Sequence, residues 1–394
     1  MIERADVAII GGGIMGASTA FNLARDTRLK VVLLEKDVFG GGSTGRSAAI
    51  IRHYYSNELM LRSAIESRRI FQNFKSAVGE SLEFVQNGFV ALDAGEPAKT
   101  AHKRVEEMKR SGLRASTLLP SQARERFPFL TVADDEVTSF DEEAGFVPEP
   151  TIATEIYVRQ AVKHGASAYE HTGVTKIRYG RAVRSVVTSK GEIEVSHVLN
   201  AAGPWGREVS KMVGLNFPIE SVRQQLVDFK TKTSWPLDRP TVSDRRNITY
   251  LKPVRGGIAH AGGHYYGKPC DPDRFDNGVD QEFVEGLIPK LVGRFPELGE
   301  ARVVAGYSGL YEDSPDKMPL VGETEVEGYT VCAGWSGHGF KHGPFFGILL
   351  KELIEKGRAS MDISSLSPGR FMEGRPVVTD YSAKGTEAPV APYG

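Results

Sequence analysis

The sequence predicts a mixed α/β (α+β) chain with two domains, one a parallel sheet flanked by helices and the other a mixed, largely antiparallel sheet. Three observations predict it. The N-terminus reads strand, glycine turn, helix, strand. Two later glycine-rich turns stand at the ends of apolar runs, far apart in the chain. Residues 221–266 are rich in Tyr, Val and Thr and read as successive strands.

Taken in order, residues 6–10 read as a buried parallel strand, and Gly11-Gly12-Gly13-Ile14-Met15-Gly16 fits G-x-G-x-x-G. Ala17, Ala20, Phe21 and Ala24 then recur at helical spacing, and residues 30–34 make a second strand that ends in Glu35. Each part has a physical task in a Rossmann-like dinucleotide site. Gly11 allows the tight turn, Gly13 lets backbone approach a pyrophosphate, and Gly16 lets helix and strand pack closely. The helix N-terminus faces phosphate with its partial positive charge. Glu35 accepts hydrogen bonds from ribose hydroxyls and disfavours a 2′-phosphate, which makes NADP the least suitable dinucleotide. The motif alone leaves NAD and FAD both open.

The next stretch separates them. After Glu35 an NAD domain continues into another short βαβ unit, whereas this chain runs into Gly40-Gly41-Gly42-Ser43-Thr44-Gly45-Arg46-Ser47-Ala48-Ala49, a turn that brings backbone amides to a second section of ligand. Arg46, Arg52 and His53 follow among apolar residues. A helix is expected over 152–164, after Pro148 and Pro150. Residues 197–202 read as an apolar strand capped by Gly203-Pro204-Trp205, and Gly334-Trp335-Ser336-Gly337-His338-Gly339-Phe340 opens a helix over 343–356. Three glycine-rich strand ends suit a long, extended cofactor.

Composition narrows the classes. The 394 residues carry 49 basic and 50 acidic side chains, a formal charge of -1, so no sequence-wide footprint for nucleic acid or membrane is present. Cys270 and Cys332 are the only cysteines, too few for a disulfide framework or a Cys-rich metal site. They suit a reducing compartment, so a cytoplasmic protein without a metal is expected. The apolar run 7–14 is short and ends in glycine, unlike a signal peptide, and no later run is apolar enough to span a bilayer.

On these segments the chain resembles the D-amino-acid-oxidase-like FAD oxidoreductases, most closely the branch of sarcosine oxidase, dimethylglycine dehydrogenase and glycine oxidase. GGGIMG with Glu35, STGRSAAIIRHYYS, VLNAAGPWG, SGLYEDSPDKMPLVG and AGWSGHGFKHGP carry the resemblance, in order, along nearly the whole chain. It implies an FAD-binding domain of residues 1–82, 146–216 and 318–365, a discontinuous substrate domain of 83–145 and 217–317, and an irregular tail over 366–394. The implied cofactor contacts begin with Gly11, Gly13, Ile14, Met15, Gly16, Glu35 and Lys36. They continue through Ser43, Thr44, Arg46, Ser47, Ala48 and Ala49 to Val174, Ala202, Gly203 and Trp205. They close with Gly309, Gly337, His338, Gly339, Phe340 and Lys341, where the glycines let a helix N-terminus approach the flavin's pyrimidine edge.

The implied activity is oxidation of the C–N bond of a small amino acid or N-alkyl amino acid (sarcosine-, glycine- or proline-like), by hydride transfer to flavin N5, giving an imine that hydrolyses. Arg52 and Lys341 stand where the family clamps the substrate carboxylate, a task for which the guanidinium fork is well shaped. Tyr250, Tyr311 and His264 match pocket positions. Two departures follow from the family pattern. Gly309 stands where monomeric sarcosine oxidases attach flavin through a cysteine, so FAD is expected to be non-covalent. His260 stands where they carry a lysine that promotes reaction with oxygen, which leaves oxygen and another electron acceptor both open. A 2-hydroxy-acid oxidoreductase, with His53, His260 or His264 as base, and a flavin-binding subunit of a larger dehydrogenase are the alternatives; homo- and hetero-oligomers are both compatible.

Overall fold

The structure is a computed structural model describing residues 2–232, 234–263, 267 and 269–378. Val7–Ile10 is apolar and buried at every position, as befits the middle of a parallel sheet covered on both faces. It pairs in parallel with Val31–Leu34 on one side and His197–Asn200 on the other. Ser167–Tyr169 extends the sheet past Val31–Leu34; Tyr329–Ala333 and the antiparallel Leu320–Glu323 extend it past His197–Asn200. Alternate residues feed two cores, because successive strand side chains point to opposite faces. Val7, Ile9, Leu33 and Leu199 meet the helices Ile14–Asp26, Pro150–Lys163 and Gly339–Lys356. Ala8, Ile10, Val32 and Val198 meet Ile177, Val186 and Ile193 of a small three-stranded sheet.

The first and last of those helices touch closely. A Cβ on Gly343 would stand 2.6 Å from Ile14 Cγ1 and one on Gly347 2.5 Å from Ser18 Oγ, while Ser18 Oγ donates to Gly343 O at 2.8 Å. The helix expected from 343 begins four residues earlier, at Gly339. Pro344 removes one rung of its hydrogen-bond ladder, and the neighbouring Phe345 N–H turns aside to Ser67 Oγ at 3.1 Å. Starting early matters, since it places Lys341 in the first turn.

The second sheet has eight strands, ordered Arg302–Asp313, Glu220–Lys230, Ile258–Gly263, Thr249–Val254, Thr241–Asp244, Phe89–Asp93, Val137–Asp141 and Ala115–Leu118. One pair, Thr241–Asp244 with Phe89–Asp93, is parallel and the rest are antiparallel. This is the mixed, largely antiparallel sheet that the sequence predicts. One face packs Val90, Leu92, Val227, Phe229, Val242 and Leu251 against Leu287 and Leu291 of the helix Gln281–Arg294. The other face looks towards the parallel sheet.

Past residue 363 the chain makes short 3₁₀ turns, Ser364–Leu366 and Pro368–Phe371. Arg370 is buried there, with Nε 2.8 Å and Nη2 2.9 Å from the Asp316 carboxylate. Among the described residues no helix is long and apolar enough to cross a membrane.

Candidate functional site

A cleft of about 810 Å³ lies between the ends of the parallel strands and the inner face of the eight-stranded sheet. The glycine turn forms one end. Gly11 has φ +107°, and a Cβ there would lie 2.3 Å from Ala201 O, so no larger residue fits. Gly16 is not in the cleft wall; a Cβ there would lie 2.0 Å from Gly11 O, the close helix–strand packing expected of it. Ile14 N donates to Thr44 Oγ1 at 3.1 Å and Gly40 N to Gly12 O at 3.0 Å, which ties the second glycine turn to the first. Glu35 accepts from Gly12 N and Asp37 N, both at 2.8 Å, so its carboxylate is fixed beside the turn. Ala49 is held at φ 50°, strained backbone for a residue with a Cβ, at the point where the chain lines the cleft.

Every other residue named above as a cofactor contact lines this one cleft: Gly11, Gly13, Ile14, Met15, Glu35, Lys36, Ser43, Thr44, Arg46, Ser47, Ala48, Ala49, Val174, Ala202, Gly203, Trp205, Gly309, Gly337, His338, Gly339, Phe340 and Lys341. A feature that the sequence did not signal closes over it. Asp273 pairs with Lys36 Nζ and accepts from Trp205 Nε1 at 3.0 Å, while the Lys36 ammonium lies 3.8 Å from the Trp205 ring centroid. Two residues on, Phe275 lies 5.4 Å from the Arg46 guanidinium. The segment around Asp273 thus straps the two glycine-turn regions to the substrate-side sheet.

At the far end Arg52 donates from Nη1 to Tyr54 O at 2.7 Å, and its guanidinium lies 4.6 Å from the Tyr55 ring centroid and 5.6 Å from that of Phe89. Lys341 is buried, and its pKa falls well below the usual value, through burial first and the Arg52 charge second. The two cations therefore sense each other across one wall. The Tyr250 ring lies over Gly262, where a Cβ would meet its hydroxyl at 2.6 Å, and the Tyr311 ring over Gly337 at 2.4 Å. Burial, reinforced by Tyr311 and Tyr307, raises the Tyr250 phenol well above its usual pKa; burial and Asp313 push Tyr311 up to about 12, against an opposing pull from Arg52. Both stay neutral at neutral pH.

Two of the histidines, His53 and His260, fall outside the cleft wall. His260 does not line the cleft: its Nδ1 lies 2.6 Å from Asp228 Oδ1, and it faces Lys252 across the strand pair. Burial lowers its pKa despite Asp228, and lowers Lys252 to about 8. The Lys252 ammonium lies 4.4 Å from the Phe146 ring centroid. His53 is buried with Nδ1 2.8 Å from Asp141, and His338 lines the cleft with Nδ1 2.9 Å from the Tyr55 hydroxyl. His264 lies outside the described residues. Tyr54, Phe89, Gln224, Ser243 and Arg245 also line the substrate end, and sequence reasoning missed them.

Comparison with known proteins agrees with this fold. A family model described as DAO, FAD dependent oxidoreductase, matches residues 6–353. Human dimethylglycine dehydrogenase is 28% identical over 411 residues, taking in 98% of this chain and 46% of that protein, so the chain spans about half the length of that relative. Glycine oxidase of Geobacillus kaustophilus is 26% identical over 381 residues, 94% of this chain and 98% of that enzyme. Among solved structures, L-proline dehydrogenase from P. horikoshii is similar with a TM-score of 0.88 and 27% identity, covering 96% of this chain and 100% of that one.

Proposed function

The chain belongs to the FAD dependent oxidoreductase family, and we propose that it oxidises the C–N bond of a small amino acid or N-alkyl amino acid with non-covalently held FAD. The observation that carries the reading is the convergence of Arg52 and Lys341 on the cleft that the dinucleotide turn also lines. The names of the similar proteins, dimethylglycine dehydrogenase, glycine oxidase and L-proline dehydrogenase, point to the same class of substrate.

The residues fit the cofactor. Gly11 and Gly13 leave room for a pyrophosphate at the helix N-terminus, Glu35 is oriented for ribose, and the helix starting at Gly339 presents its positive end at the other extreme. When bound, FAD supplies the two-electron acceptor. The protein's own part is positioning. Arg52 offers its planar fork to the substrate carboxylate. Burial and the Arg52 charge lower the Lys341 pKa, and a carboxylate arriving beside it opposes that shift, because an adjacent negative charge favours the ammonium. With the carboxylate fixed, the amine and the C–H bond to be broken have one orientation. Tyr250 and Tyr311 add neutral hydrogen-bonding groups, and Phe89, Leu226 and Ile248 reduce the water in that end of the cleft. The imine product hydrolyses to a carbonyl compound and an amine.

Non-covalent attachment is supported at two positions. Gly309 carries no thiol, and a Cβ there would come within 3.1 Å of Arg46 Cβ. The buried Cys332 thiol has its pKa raised by desolvation, which suppresses the reactive thiolate. A 2-hydroxy acid would need a base for its hydroxyl. His53 and His260 each have Nδ1 on a carboxylate and lie outside the cleft wall, which favours the amine. Anaerobic mixing of the holoenzyme with sarcosine, glycine, proline, D- and L-amino acids and 2-hydroxy acids is expected to bleach the flavin with an amine. Bleaching by hydroxy acids alone overturns the reading. Acid precipitation is expected to release yellow FAD; flavin in the pellet overturns the non-covalent part.

A further inference from the structure

We propose that Tyr55 is a positioning residue, the spacer that holds the two clamp cations, Arg52 and Lys341, at a fixed separation. This rests on the carboxylate-clamp reading above and deepens it, since two like charges that face one anion need a rigid part between them.

Tyr55 is buried and reaches towards both halves of the clamp. The Arg52 guanidinium lies 4.6 Å from its ring centroid, while Arg52 Nη1 donates to the carbonyl of the preceding residue, Tyr54, at 2.7 Å. The ring thus seats the guanidinium, and the backbone fixes one of its nitrogens. The Tyr55 hydroxyl lies 3.2 Å from Nε2 of His342, the residue next to Lys341 at the start of the helix Gly339–Lys356. It also lies 2.9 Å from Nδ1 of His338, the residue that precedes this helix. Through one side chain, Arg52 is tied to the helix that carries Lys341.

The sense of its hydrogen bonds locks the hydroxyl. His342 is fully buried, and burial first, then the Lys341, Arg52 and His53 charges, hold its pKa well below the usual value. It is neutral, with one ring N–H. Its Nδ1 lies 2.9 Å from Ser63 Oγ, which lies 3.1 Å from Met60 O, an atom that can only accept. All four contacts carry a hydrogen when the chain runs one way: His338 Nδ1 donates to Tyr55, Tyr55 to His342 Nε2, His342 Nδ1 to Ser63, and Ser63 to the carbonyl. Run the other way, the contact between Ser63 and Met60 has none. The Tyr55 hydroxyl therefore accepts from one ring and donates to another, and the His342 ring is itself stacked on Trp335 at 5.7 Å.

The charges show why a spacer is needed. Arg52 lowers the pKa of Lys341, and both lower that of His342, so the two cations repel each other. Side chains free to swing relieve that repulsion by moving apart, and a carboxylate then meets one cation at a time. Held at a set distance, the fork and the ammonium reach the same carboxylate together.

The test titrates the FAD-loaded enzyme with valerate, an unreactive monocarboxylate, from about pH 6 to about pH 10, following the shift of the flavin absorption band. Two variants cut the spacer from its two ends: Tyr55→Phe keeps the ring by Arg52 and drops the hydroxyl, and His342→Leu keeps the tyrosine and drops its acceptor. In each, Arg52 gains freedom to move away from Lys341, so the pH at which affinity falls is expected to move up. Affinity at the acid end is expected to be about three- to tenfold weaker, the worth of one ordinary hydrogen bond. The other titratable groups nearby do not mimic this: Arg52 keeps its charge, His342 stays neutral, and so does Tyr311, pushed up to about 12. His338 and the Asp141-paired His53 are present in every variant. In a Lys341→Met background, where no second cation is left to space, Tyr55→Phe should change affinity by no more than about twofold. An unmoved pH in both variants overturns the inference, as does the full weakening by Tyr55→Phe in the Lys341→Met background. A shift in Tyr55→Phe without one in His342→Leu traces to His338 and also overturns it. If Arg52→Ala and Lys341→Met bind valerate as the parent does, the carboxylate clamp itself fails instead.

Discussion

On one face of the eight-stranded sheet Val90, Val227, Phe229, Val242 and Leu251 pack against a helix; on the other, one residue along in the same strands, stand Gln224, Asp228, Ser243, Tyr250, Lys252 and His260. Both faces are buried, yet one is apolar and the other carries ionisable groups beside the cleft. The pleat makes this division, since neighbours in a strand cannot share a face. The apolar face contributes stability in proportion to its area. The polar face gives some of it up, because groups such as Lys252 remain desolvated, a burial that Asp228 and Glu149 offset only in part.

The division predicts opposite outcomes for adjacent residues. Leu251 is 0% exposed, and Leu251→Ala is expected to lower unfolding free energy by about 2–5 kcal/mol. Its effect on carboxylate binding to folded enzyme should be slight. Urea unfolding and ligand titration on the same sample check both; a large binding defect at unchanged stability contradicts the division.

At the cleft wall, Arg52→Ala is expected to weaken substrate or carboxylate binding by about 2–4 kcal/mol, the cost of removing one partner of a desolvated charge pair, while FAD stays bound. Arg52→Lys should also lose activity, since a point charge does not reproduce the fork. Stopped-flow flavin reduction against substrate concentration is the measurement. Equal half-saturation and rate in parent and variant would place Arg52 outside the site.

Lys252, next to Leu251, is expected to behave in the reverse sense. Burial lowers its pKa from 10.5 to about 8, so the folded state disfavours the ammonium that the unfolded chain accepts. Below about pH 8 both states are charged and the folded state bears the full penalty; from pH 8 to 10.5 the unfolded state binds more protons, and stability rises with pH. Lys252→Met should therefore stabilise the protein below pH 8, by up to about 3 kcal/mol. The gain should shrink through that window. A destabilised variant at pH 7 would mean that the ammonium has a compensating partner.

How much of this was legible follows from the same pleat. The packing tasks of Gly11 and Gly16 could be read, because each answers to a backbone constraint visible as sequence: Gly11 against Ala201, Gly16 against the turn itself. The eight-stranded sheet was legible as strands, but alternation does not say which face meets a ligand or which strands are neighbours. His260 was expected near the flavin, whereas the strand register sets it against Asp228 and Lys252. Arg52 and Lys341 stood out through a family resemblance, not through spacing. Arg245 gave no signal, since its neighbour Arg246 makes an exposed pair with Asp135 and the two look alike in sequence. The strap at Asp273 depends on contacts with Lys36 and Trp205 across long separations, and local pattern carries no trace of them.

The smallest expected effect separates the two kinds of group that line the polar face. Tyr250 has a phenol raised well above its usual pKa by burial and by Tyr311 and Tyr307, so it is neutral through pH 9 and contributes hydrogen bonding without charge. Tyr250→Phe should then change carboxylate affinity by only about 0.5–1.5 kcal/mol, the worth of an ordinary hydrogen bond, and by the same amount at every pH in that range. Lys341 differs, because its lowered pKa means that its charge disappears as pH rises through values where an ordinary lysine is still protonated. Affinity for an unreactive carboxylate should therefore fall with rising pH in the parent protein. That slope should persist in Tyr250→Phe, displaced but parallel, and vanish in Lys341→Met. Valerate suits the measurement, since it has no amine to titrate, and its one carboxylate ionises well below the range examined. Parallel curves for the parent and Tyr250→Phe with a flat one for Lys341→Met would assign the proton to the lysine. A flat curve for Tyr250→Phe would assign it to the phenol, and the polar face would then hold a second titrating group beside its cations.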